Sequence, residues 1–212
     1  MQKMTLRLGL GLVTCALSAV AGCGSSDPPV MMMEASLNQK IVGTWNSASC
    51  ELGIAIPGAP VTPYYKRTYK FTETDWSYAF DVYFDANCAL KALTMDAKGT
   101  YTIGAMVSAP AGANEMNFNY AERGMTAYLS QATQLLSGLS CGGTSAWTVG
   151  MRVDISTNGC GTIVPSNTAC PKEFDVISLT GTNLFLGQRP MSASGLCSTR
   201  PTTLATTALV KP

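Results

Sequence analysis

The chain has 212 residues, 14 basic and 13 acidic side chains, a formal net charge of +1 and no histidine. The near-neutral balance argues against a nucleic-acid partner, which needs a cationic face. The missing histidine removes Ser-His and Cys-His nucleophile pairs and every histidine-containing zinc site. Only 13% of residues are charged, which suits an exported β-rich domain better than a helical cytosolic one.

Residues 1–22 read as an export signal. Lys3 and Arg7 form its positive start, and Leu8 to Val20 is an apolar stretch too short for a membrane span. Two cleavage readings compete. Ala19-Val20-Ala21 fits the ordinary small-residue site and releases a soluble protein. Val20-Ala21-Gly22-Cys23 resembles a bacterial lipobox, with lipid added to the Cys23 sulfur. Cysteine parity selects the second. Cys15 leaves with the signal, so a soluble product keeps an odd cysteine, whereas lipidation of Cys23 leaves Cys50, Cys88, Cys141, Cys160, Cys170 and Cys197. Cys23 is then a lipid anchor, each buried CH₂ contributing about 0.8 kcal/mol. Gly24 behind it resembles lipoproteins of the bacterial outer membrane, so the expected location is the cell envelope. Residues 23–37 read as a flexible tether. Met31-Met32-Met33 within it is taken as unstructured rather than as a soft-metal site. No metal and no cofactor is expected. The domain spans residues 38–212.

Ile41 to Ser47, with Gly43-Thr44-Trp45, begins the domain as a strand. Gly53 to Pro63 is loop-like, because Pro57, Pro60 and Pro63 oppose strand pairing. Tyr64 to Thr72 alternates, with Tyr65, Arg67, Tyr69 and Phe71 on one face. After a turn at 71–75, Trp76, Tyr78, Phe80, Val82 and Phe84 share a face, so the two runs predict a hairpin. Such a face is either plain core or, in a barrel of about eight strands, the lining of a cavity for one small ligand. Cys88 to Met95 and Thr100 to Met106 predict the next strand pair, turning at Asp96-Ala97-Lys98-Gly99. Cys50 and Cys88 flank these hairpins and are expected to pair.

Gly43-Thr44-Trp45, Cys50-Glu51, Tyr69-Lys70-Phe71, Trp76, Tyr83 and Cys88 together resemble the adenomatosis-polyposis-coli-down-regulated (APCDD) domain family. Leu186-Gly187-Gln188-Arg189-Pro190 and Arg200-Pro201-Thr202 also fit. Animal members carry two such domains and a transmembrane segment and inhibit Wnt signalling. A single domain on a bacterial-style lipid anchor does not carry that role. The resemblance implies a lipocalin-like barrel that accepts a lipid or acyl group, with Trp45 closing the barrel and Arg200 as a candidate partner stacked on it. Arg67 and Arg189 are the other cations that could stack there or meet an anionic head group.

Met116, Phe118 and Tyr120 alternate as a short strand. From Tyr120 to Gly138 the period becomes helical, through Met125, Tyr128, Leu129, Ala132, Leu135, Leu136 and Leu139. Trp147 to Ile155 predicts a strand, Asn158-Gly159 a turn, and Phe174 to Leu179 with Leu184 to Gly187 a hairpin. Thr203 to Val210 is positioned to close the barrel. The expected fold is mainly β: a single antiparallel lipocalin-like β-barrel with one α-helix, stapled by disulfides. Four cysteines allow three pairings; the pairing chosen is Cys160–Cys170 with Cys141–Cys197.

No catalytic constellation is found. The acids are scattered, and no phosphate-binding fingerprint occurs. The favoured expectation is a non-enzymatic, membrane-anchored envelope lipoprotein. It would bind a lipid or other hydrophobic ligand through Tyr69, Trp76, Tyr78, Phe80, Val82 and Phe84. The alternative is a structural or protein-interaction module with a filled core.

Overall fold

A computed structural model describes residues 35–53, 62–189 and 195–212. The signal segment, Cys23, the methionine run and most of the tether lie outside the described residues. Two α-helices are present, α1 (Leu37–Ile41) and α2 (Ser130–Gly138). The strands are β1 (Gly43–Ser47), β2 (Glu51–Leu52), β3 (Tyr64–Phe71), β4 (Asp75–Tyr83), β5 (Lys91–Met106), β6 (Asn114–Ala127), β7 (Arg152–Asp154), β8 (Lys172–Thr180), β9 (Asn183–Leu186) and β10 (Leu209–Val210). Eight of them close a ring in the order β1-β10-β9-β8-β6-β5-β4-β3, and β3 pairs back onto β1. Every pairing in the ring is antiparallel. β2 extends the edge of β3, and β7 pairs with β6. Closure removes the free edges that an open sheet would expose.

Local chemistry explains the best-formed parts. Ser36 caps α1 with a reciprocal capping box to Gln39, so Ile41 ends a helix and β1 starts at Gly43. The β3–β4 hairpin runs in register from Tyr64 opposite Tyr83 to Phe71 opposite Trp76. Its turn is set by the Thr72 hydroxyl, which accepts from the Asp75 amide at 2.9 Å.

Beyond the extra helix α1, where a strand from Ile41 was expected, three further elements differ. The segment 88–106 is not a strand pair: β5 is one 16-residue strand, and Asp96 to Gly99 lies within it. Gly99 serves close approach rather than turning. It faces Trp76 where the register to β6 slips, and a Cβ there would collide with the Asn119 carbonyl. The helix expected from Tyr120 starts only at Ser130, because residues up to Ala127 extend β6 and pair with β5. Met125, Leu129, Ala132 and Leu136 mimic one helical stripe because the inward strand residue Met125 leads onto the buried face of α2. The strand expected over Trp147–Ile155 shrinks to β7, since a turn with Gly150 at φ +80° precedes it.

The disulfide Cys50–Cys88 forms as expected. The other pairing is corrected: Cys141 bonds Cys160, and Cys170 bonds Cys197. The chain after α2 returns beside the Gly159 turn, where the Gly142 amide donates to the Gly159 carbonyl at 2.8 Å, and this places Cys141 on Cys160. Three disulfides assign the domain to an oxidising, non-cytoplasmic compartment.

Two apolar clusters fill the fold. One gathers Trp45, Tyr69, Phe71, Trp76, Tyr101 and Phe118 from the barrel with Leu184, Leu186 and Leu209. The other packs Met125 and Ala127 under α2 residues Ala132 and Leu136, with Trp147 and the Cys141–Cys160 bridge.

Candidate functional site

The registers define the inward face. Tyr65, Arg67, Tyr69 and Phe71 of β3 stand opposite Val82, Phe80, Tyr78 and Trp76 of β4, which stand opposite Leu93, Met95, Ala97 and Gly99 of β5. Tyr69, Trp76 and Val82 are buried, while Tyr78 and Phe80 are half-buried. Phe84 lies beyond β4, past a register irregularity at Val82/Tyr83, and its amide donates to the Leu90 carbonyl. The expected lining set is therefore divided. Trp76 packs on Phe118 with ring centroids 4.4 Å apart and stacks on Tyr78 at 5.6 Å, as floor. Tyr65 stacks on Phe80 at 4.7 Å, and these two, with Tyr78 and Met95, are inward side chains that keep contact with solvent.

Trp45 is 2% exposed, and its indole nitrogen donates to the Ile41 carbonyl at 2.6 Å. The cation over its ring is Lys211, with Nζ 4.9 Å from the centroid. This corrects the expected Arg200 stack. β10 lies beside β1, so the residue after Val210 arrives over Trp45 and donates to the Val42 carbonyl. Arg200 instead clips β6 to β8 by donating to the Met116 and Asp175 carbonyls, and lies 5.6 Å from the Phe174 ring. Arg67 does not stack on Trp45 either. It makes a two-pronged pair with Glu51 at 2.9 and 3.0 Å and donates to the Thr207 carbonyl.

Between the clusters lies a polar group that the sequence did not announce. Arg123 is 2% exposed, sits 3.5 Å over the Tyr120 ring, and donates to the Pro165 and Cys170 carbonyls. Glu173 and Asp175, on β8 opposite Phe118 and Met116, point the same way as those core residues. Arg189 pairs with Glu173 and, at 3.3 Å, with Asp175. Burial, with Glu173 nearby, pushes the Tyr78 and Tyr120 phenols above their ordinary range, and burial does the same to Tyr69. Burial also pushes Asp175 up to about 6, against the pull of Arg189 and the Val176 and Gly187 amides. Alternation was the available signal. Glu173 and Asp175 share strand parity with Ile177, yet charge at those positions reads as an outer face.

Among the described residues no grouping of three or more histidines, cysteines, aspartates or glutamates could hold a metal. An open groove of about 330 Å³ crosses the outer wall, between Lys70, Ser77, Asp96 and Arg152. Within it Arg152 contacts Asp96 at 2.7 Å and Glu122 at 2.8 Å. No model of a known protein family matches the chain.

Proposed function

We propose that this chain is a non-enzymatic envelope lipoprotein, tethered through lipid on Cys23, whose barrel binds one lipid or other hydrophobic ligand. The observation that carries the reading is an inward face that is only partly buried. Tyr65, Tyr78, Phe80 and Met95 point into the barrel by register and are still reached by solvent. Aromatic and apolar side chains that face inward and are only partly buried would line an aromatic-walled cleft, the usual lining of a small-molecule site. The APCDD resemblance and the lipobox at Val20–Cys23 support the same reading, with the bacterial outer membrane as the location.

Native mass spectrometry of the oxidised protein, with titration by a neutral fluorescent lipid probe, tests it. The expected result is one equivalent of probe or a co-purified lipid that leaves on denaturation. A ligand-free mass that takes up no probe refutes the binding reading. Incorporation of labelled palmitate that is lost in Cys23→Ser tests the anchor, and equal labelling of both proteins refutes it.

A second reading, an interaction module with a filled core, rests on the Trp45 end. There Tyr69, Phe71, Trp76 and Phe118 are buried in continuous ring contacts. It predicts the ligand-free outcome above.

A further inference from the structure

Glu173 and Asp175 are fixed acids in a barrel wall, with side chains 11% and 0% exposed. Their counter-ion is less deeply placed. Arg189 comes from the segment after β9, and its side chain is 41% exposed. The Asp175 Oδ2 atom, although 3.3 Å from Arg189, accepts no hydrogen bond. A buried acceptor without a donor is destabilising, so this corner is short of one donor. Tyr69, Tyr78 and Tyr120 all lie within electrostatic reach of both Glu173 and Arg189, and phenol faces attract cations. An anionic head group would meet two carboxylates here. The other interior cations are already engaged, Arg123 by two carbonyls and the Tyr120 ring and Arg67 by Glu51 and the Thr207 carbonyl.

Resting on the reading of the barrel as a lipid site, we propose that Glu173 and Asp175 form its head-group subsite. This subsite takes a cationic donor such as a primary ammonium, and Arg189 is the resident cation that the ligand displaces. The apolar body of the ligand then runs along Tyr78 and Phe80 toward Tyr65. Such a ligand supplies the donor that Asp175 lacks and replaces the one positive charge that Arg189 withdraws, which a neutral or acidic lipid does not.

The test uses the oxidised full-length protein and three probes of one chain length at neutral pH: dodecylammonium, dodecanol and dodecanoate. Each competes with a neutral fluorescent lipid probe below its micelle concentration. Dodecylammonium is expected to bind at least about tenfold tighter than dodecanoate. Arg189→Ala removes the competing cation and is expected to tighten dodecylammonium by about tenfold relative to dodecanol. Glu173→Gln is expected to abolish the preference. The wild-type series decides the question even where a variant fails to fold. Dodecanoate binding as tightly as dodecylammonium, with dodecanol also bound, overturns the head-group assignment and leaves the lipid reading standing. If none of the three binds, the lipid reading itself fails.

Discussion

Asp175→Asn separates two descriptions of the acid inside the barrel. Asp175 is fully buried, and its carboxyl is pushed from 3.8 up to about 6. The main cause is burial; the Arg189 contact at 3.3 Å and the bonds from the Val176 and Gly187 amides pull the other way without reversing it. The folded state therefore holds this proton more tightly than the unfolded chain does. The stability that the proton contributes is fully present below the unfolded value and is lost as pH rises through the folded one. A shift of about two units corresponds to about 3 kcal/mol between roughly pH 4 and pH 7. Asparagine resembles the protonated form: its carbonyl oxygen still accepts from the two amides, and it has no charge to desolvate. The stability of the variant minus that of the wild type should thus rise by about 3 kcal/mol over that interval. Denaturant unfolding followed by tryptophan fluorescence at several pH values measures it. Taking the difference cancels groups such as Asp85 and Asp154, which hydrogen bonds hold below their ordinary range and which titrate in both proteins. A flat difference, or one that falls with pH, would show that Arg189 holds Asp175 as an ordinary ion pair.

Three further outcomes follow from the packing. Opening the Cys50–Cys88 bridge with Cys50→Ser and Cys88→Ser together frees a sequence separation of 38 residues. The expected loss is about 4 kcal/mol by loop entropy, read as a lower denaturant midpoint under oxidising conditions. Phe118→Ala removes a ring with no exposure that touches Trp76, Tyr69 and Phe71, and should cost about 3–5 kcal/mol, whereas a loss under about 1 kcal/mol would mean this end is loosely packed. Arg123→Met leaves the Pro165 and Cys170 carbonyls without their donor; about 3 kcal/mol is expected, together with faster amide exchange at Asn167 and Cys170, and unchanged exchange would refute the link.

The sequence carried the barrel wherever one face is apolar and the other polar. β3 and β4 alternate cleanly, and their ends are set by local turn chemistry, so their bounds fall within a residue of expectation. It failed where one signal had two causes. Gly99 looks like a turn because glycine marks turns, but here it admits the backbone of a neighbouring strand. Met125 and Leu129 look helical because a strand hands its inward face to a helix within two residues. The later disulfides could not be read at all, since their partners are brought together by folding and not by spacing. Of the six residues expected to line a site, Tyr69, Trp76, Tyr78, Phe80 and Val82 share the inward face, but which of them are covered depends on contacts with distant strands, such as Phe118 on Trp76 and Tyr69, that alternation does not reveal.

The interior charges follow from how the ring closes. β9 has four residues and β10 two, so strand pairing along that side of β8 covers only Ile177 to Thr180. The start of β8, from Lys172 to Val176, is paired with β6 on one side alone. Its other side is served by single groups: the Gly187 amide reaches the Val176 carbonyl and the Asp175 carboxylate, and Arg189 reaches the Glu173 and Asp175 carboxylates. Side-chain charges thus stand where a longer β9 would have supplied a ladder. A ladder holds one geometry, whereas an exposed arginine can exchange its partners with water or with a ligand's donor. The short strands that close this barrel therefore also leave the Glu173–Arg189 pair, with its partly exposed arginine, at the singly paired start of β8.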